Sequence, residues 1–139
     1  MTTITIEEGL VVFLKAHAGL AALVGVRIKP DFLPQKSDLP CLTYQRISTP
    51  RVITHDTTGS AGTAYPRIQF DAYAITRKGA KAIVDQLRAA LQGYTGSMGT
   101  SPNTVTVQAA IVDDEEITRE PETGFFRGRS DYLIWHQEA

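Results

Sequence analysis

The sequence predicts an α+β domain: a mainly antiparallel sheet of about four strands, built as two hairpins, with two main helices packed on one face. Three observations predict it. Within Tyr65–Gly93 the apolar period changes from two to about 3.6, so a strand runs directly into a helix. Near the C-terminus two alternating stretches flank a proline–glycine turn at 120–124, which joins antiparallel neighbours. The chain also opens on a helical stripe, and two helices with two hairpins settle into layers around one core.

Residues 5–17 form the first helix. Thr5 and Glu8 have capping-box spacing, in which each side chain satisfies the other's backbone N–H. Glu7 and Glu8 suit the positive end of the helix dipole. Ile6, Leu10, Phe13, Leu14 and His17 make the stripe, widened by Val11, and Leu20, Leu23 and Val24 add a short turn that stops at Gly25. The connector that follows is punctuated by Pro30, Pro34 and Pro40 and reads as irregular.

Residues 41–48, CLTYQRIS, read as the first strand, with both faces partly covered because Leu42 and Tyr44 oppose Ile47. Arg51–Ile53 prolong it and Thr63–Tyr65 begin the next strand early. The pair is then a long hairpin with a small, polar, glycine-bearing tip at about 55–63 that is expected to be mobile. In the second strand Ile68, Phe70, Ala72 and Ala74 face the core, and Arg67, Gln69, Asp71 and Tyr73 face away.

Thr76 caps the second helix, Ala80, Ile83, Val84, Leu87, Ala90 and Leu91 form its stripe, and Gly93 ends it. Arg77, Lys78 and Lys81 crowd its N-terminus, where the dipole disfavours cations. Two readings stand for them: solvated surface charge, or contact with an anionic partner. After a glycine and serine loop, TVTVQAAIVDDEEITRE is the third strand and FFRGRSDYLIWHQ the fourth. Phe13, Ile68, Phe70, Ile83 and Leu87 should share one core. The sheet's other face should carry Leu133, Trp135, Tyr73, Ile75 and Val112, more apolar surface than a monomer leaves wet.

The totals bound the classes of function. The 139 residues make one domain, 42% hydrophobic and 21% charged, neither disordered nor coiled coil by composition. A net charge of −1 excludes a global basic field for nucleic acid. One cysteine, Cys41, excludes an intrachain disulfide. The N-terminus lacks a secretion-signal pattern, and no apolar run approaches the ~18 residues of a membrane span. These features read as a soluble protein made in the cytoplasm, with no membrane partner.

Catalytic, metal and cofactor templates do not fit. His17, His55 and His136 fall on three elements without metal-ligand spacing. Cys41 has no C-x-x-C partner and reads as a small buried thiol. Asp113–Glu116 alternate across a strand, so only two carboxylates can share a site, and the run reads as a charged edge. Gly93, Gly96 and Gly99 lie between helix and strand, the reverse of a phosphate-cradling order. Arg127 and Arg129 flanking Gly128 are a weak nucleic-acid signal.

Five segments resemble one family: LKAHAGLAALVGVRIKPDFLPQ (14–35), LPCLTYQRIS (39–48), RIQFDAYAIT (67–76), ALQG (90–93) and EPETGFFRGRSDYLIWH (120–136). Together they resemble the tail-completion, or head–tail joining, proteins of long-tailed bacteriophages. That resemblance implies a structural, non-enzymatic role without cofactor or metal. It implies self-assembly as a ring, commonly six-fold, at the head-proximal end of the tail tube. The partners it implies are tail-tube and head-connector proteins, with double-stranded DNA passing through and held at most weakly and without sequence preference. The location it implies is the head–tail junction of the virion, reached from the host cytoplasm. Candidate subunit or lumen contacts are Arg46 and Arg51, His55 and Asp56 at the hairpin tip, Arg67, the Arg77–Lys78–Lys81 cluster, and Arg127 with Arg129. The competing readings are a small monomeric or dimeric α+β module that binds nucleic acid or a ligand, and a small hydrolase using Cys41 or His55.

Overall fold

The last strand, β8 (Phe126–Glu138), organises the sheet. In the computed structural model, which describes residues 5–25, 27–30, 40–52, 62–100, 103–121 and 124–138, β8 is paired along both edges. On one edge lie β5 (Arg67–Ala74) and, beyond it, β4 (Gly62–Ala64). On the other lies β7 (Asn103–Arg119). Outside β5 runs β2 (Cys41–Ser48), continued by β3 (Arg51–Val52), which pairs with β4. The outermost strands are β1 (Ile28–Pro30), parallel to β2, and β6 (Gly96–Thr100), antiparallel to β7.

The expected sheet of about four antiparallel strands carrying two helices is therefore overturned. The eight strand segments form a curled mixed sheet, six strands wide, covered by three helices: α1 (Ile6–Ala16), α2 (Ala18–Val24) and α3 (Arg77–Leu91). Two of the added strands come from stretches read as irregular. β1 sits in the proline-punctuated connector, and Pro30 is tolerated there because an outermost strand needs no donor on its free side. β6 is the sequence GSMGT, whose one large apolar residue, Met98, is buried. Gly96 and Gly99 adopt φ of 140° and 111°, conformations that an ordinary strand former rarely reaches.

Local chemistry explains the helices. Both bonds of the Thr5–Glu8 capping box are made. Thr76 Oγ1 accepts from the backbone N–H of Gly79 at 3.0 Å and starts α3, and Gly93, at φ 77°, follows its last turn. The helices cover one face, here called the helical face. Leu10, Leu14, Leu20, Ile83, Leu87 and Leu91 pack there against Leu42, Ile68, Phe70, Tyr132 and Ile134. Phe13 joins the core only partly buried, its ring tilted against Tyr94 with centroids 4.4 Å apart.

The layers approach closely because Gly128 lies under α3. A Cβ there would stand 2.6 Å from Val84 Cγ2. At the rim, Arg46 of β2 pairs with Glu7 of α1, and Arg88 of α3 binds Glu115 of β7 at 3.0 Å. At the end of α3, Gln92 Oε1 accepts from the Val112 N–H at 2.7 Å and the Gly93 N–H donates to the Ala110 carbonyl at 2.8 Å. Part of the outer edge of β7 is occupied in this way.

Candidate assembly surface

Two irregularities in β7 decide what the uncovered face displays. Pairing with β8 shifts between Val107 and Ala109 and again between Val112 and Asp114. Each shift inserts one residue and reverses which side chains face the core. Val105, Val107, Ala110 and Val112 thus turn toward the helices, while Ile111 turns outward. After the second shift Glu115 and Ile117 point to the helical face, and Asp114 and Glu116 to the open one.

The open face consequently differs from the apolar surface expected of it. Val112 belongs to the core, Tyr73 is buried, and Ile75 lies beyond the end of β5. The apolar part is a strip at one end, where Tyr65 stacks on Trp135 with centroids 4.3 Å apart, beside Leu133 and Ile111. The rest is a lattice of opposite charges. Arg127 Nε donates to Asp71 Oδ1 at 2.9 Å. Arg67 reaches Asp113 at 2.6 Å and Asp131 at 3.3 Å. Arg129 binds Asp131, Asp114 and Glu116 at 2.9, 2.8 and 3.2 Å. Their carboxylate partners raise the affinity of all three guanidiniums for their protons; at Arg127 this outweighs the opposing effect of burial.

The structure separates the candidate contact residues into groups. Arg67, Arg127 and Arg129 come together in this lattice, each already engaged by carboxylates. Arg46 lies at the rim of the helical face on Glu7, away from them. Arg51 is exposed on β3. His55 and Asp56 lie outside the described residues, as does most of the 55–63 tip, whose last two residues, Gly62 and Thr63, belong to β4. Arg77, Lys78 and Lys81 are exposed together at the start of α3. The Arg77 guanidinium stands 5.9 Å from the centre of the Phe126 ring, and Lys81 binds Asp85 at 2.7 Å. That ion pair holds the Asp85 carboxyl below its usual pKa.

Sequence reasoning missed the carboxylates as partners. Asp113, Asp114 and Glu116 looked like a solvated edge, and the signal, a run of acids on one strand opposite arginines on the next, becomes readable only once the shifted register is known. Among the described residues no group of three His, Cys, Asp or Glu side chains converges as a metal site. Burial pushes the Cys41 thiol up, which keeps it protonated and poorly nucleophilic. His136 is buried in β8 with Nδ1 3.4 Å from the Ile134 carbonyl.

The fold is thus a curled mixed sheet with one helix-covered face and one open face on which opposite charges pair. The tail completion protein gp17 family matches residues 8–137, and the chain belongs to that family, a structural one of phage morphogenesis. No curated protein matches the chain. A chain of the solved structure "Virion of native gene transfer agent (GTA) particle" is similar in fold. Its TM-score is 0.64 at 18% identity, over 91% of this chain and 90% of that one.

Proposed function

We propose that this protein completes the phage tail by assembling as a ring at the head-proximal end of the tail tube, at the head–tail junction of the virion, after synthesis in the host cytoplasm. It catalyses no reaction and needs no cofactor. Its partners are further copies of itself, the tail tube and the head connector.

The observation that carries this reading is the open face. Its charges are fixed in place by one another, and its Tyr65–Trp135–Leu133 strip remains partly uncovered. A preordered polar lattice beside an apolar strip suits a protein interface, because little side-chain entropy is left to lose on association. The same lattice disfavours the monomeric nucleic-acid module. Arg67, Arg127 and Arg129 are neutralised internally and release few counterions on meeting a phosphate backbone. Duplex DNA passing through the ring is therefore held weakly and without sequence preference.

Electron microscopy with mass measurement at rising protein concentration, with and without tail tubes, tests the proposal. Rings or caps on tube ends are the expected result. A chain that stays monomeric in the presence of tubes, or that turns over a small substrate, defeats it.

A further inference from the structure

We infer that neighbouring copies join head to tail, the exposed start of α3 on one copy seating on the acidic stretch of β7 on the next. This contact rests on the ring reading and names the surfaces that would build it.

The two surfaces have matched chemistry. At the start of α3, Ile75 is 69% exposed, the most exposed large apolar side chain among the described residues, and the exposed Arg77, Lys78 and Lys81 follow it in the chain. Ile117 and those three cations line a shallow groove, and Ile75 lines an apolar notch together with Leu23, Pro40 and Ile83. On β7, Ile111 is 45% exposed, and Asp113, Asp114 and Glu116 follow it on the open face with side chains 39, 55 and 56% exposed. Each surface thus combines one exposed isoleucine with three like charges that follow it in the chain, and the signs are opposite.

Among the described residues the charges of each surface are not cancelled. Among the described residues, three cations at the start of α3 stand against one carboxylate on that helix, Asp85, which Lys81 binds. Four carboxylates, Asp113, Asp114, Glu116 and Asp131, share the two guanidiniums of Arg67 and Arg129. Each surface keeps a surplus of two charges. The α3 dipole disfavours its own N-terminal cations, and an acidic partner relieves that conflict. One molecule cannot join its own two surfaces, because α3 lies on the helical face and the acidic stretch on the open face. Contact between different surfaces of successive copies propagates until a rotation closes it.

The experiment uses the full chain. Self-association is measured by sedimentation and electron microscopy for the unmodified protein, for Lys78→Glu with Lys81→Glu, for Asp113→Lys with Glu116→Lys, and for a mixture of the two variants. Each variant alone should associate at least about tenfold more weakly, since like charges then oppose each other, and the mixture should recover association with the two variants alternating. Because Cys41 is buried, a second measurement is clean: Lys78→Cys mixed with Asp113→Cys should form a disulfide-linked dimer that neither forms alone. Circular dichroism confirms that each variant is folded. Rings indifferent to charge reversal, or an absent cross-link within intact rings, overturn this contact and leave the ring reading standing. An unmodified protein that never associates, even on tail tubes, defeats both. Reversal that abolishes capping of tubes but leaves free rings intact makes the tube the occupant and overturns the self-contact.

Discussion

The two faces of the one sheet are built on different principles. On the helical face, Leu42, Ile68, Phe70, Tyr132 and Ile134 are buried by helices, and charge is confined to the rim, where Arg46–Glu7 and Arg88–Glu115 tie helix to strand. On the open face, charge occupies the middle, and Asp71 and Asp131 are buried among arginines without a covering layer. The first face gains stability from removing apolar area from water, which is non-directional and tolerates shape changes poorly. The second gains positional order from ion pairs, which contribute little net stability once desolvation is counted. The comparison teaches that folding is assigned to one side of the sheet, leaving the other free to be a specific surface.

The sharpest way to break that comparison is to truncate the helical face. Leu87→Ala removes a fully buried side chain between α3 and the sheet and should cost about 2–5 kcal/mol in denaturant unfolding. Leu133→Ala, on the half-buried open face, should cost clearly less. Equal losses would mean that the two faces share the work of folding. Gly128→Ala tests the same layer from the sheet side. The new Cβ meets the stiff Val84, and overpacking of this kind costs about 1–3 kcal/mol. Val84→Ala in the same chain should recover part of that loss, whereas Gly128→Ala that unfolds like the parent would place α3 further from β8 than described.

Smaller effects are expected on the open face. Asp71→Asn leaves the partly buried Arg127 without its counter-charge and should cost about 1–3 kcal/mol. At the exposed edge of the lattice Asp114→Asn should stay within about 0.5 kcal/mol, because its carboxylate is screened by water. A loss at Asp114 as large as that at Asp71 would show the lattice acting as one cooperative unit.

The helical face was more legible in the sequence than the open one. The stripes of α1 and α3, their caps, and the inward set of β5 follow from local periods, and local periods are printed in the chain. Three things were not legible. β1 and β6 are strands because β2 and β7 offer them an edge, not because IKP or GSMGT prefers extended backbone. The shifts in β7 depend on pairing with β8 and move Val112 inward and Ile111 outward against the simple alternation. The lattice follows from the same register: nothing local tells Arg129 that Asp114 and Glu116 will stand opposite. The site therefore stayed a collection of cations until the pairing was known.

The smallest effect at neutral pH carries the finest information. Tyr132 on the helical face and Tyr73 on the open face are both buried, and in each case burial is the main reason the phenol pKa is raised, far above its usual range at Tyr132. A raised folded pKa contributes stability that is fully present below the unfolded value, about 10, and is lost as pH rises toward the folded value. In that window the unfolded chain releases a proton that the native protein keeps. For Tyr132 stability should fall by about 1.4 kcal/mol per pH unit, and Tyr73 adds a loss in the same direction. The Tyr132 hydroxyl has no hydrogen-bond partner among the described residues, so Tyr132→Phe should be neutral to slightly stabilising at pH 7. Its benefit should grow with pH as the parent loses stability and the variant is spared one proton's share. Cys41, raised likewise, contributes to both proteins and cancels in the difference. Urea unfolding between about pH 9 and 11 measures it. Parallel curves for parent and Tyr132→Phe would mean that this phenol ionises freely in the native state, and the helical layer would then not seal its face of the sheet.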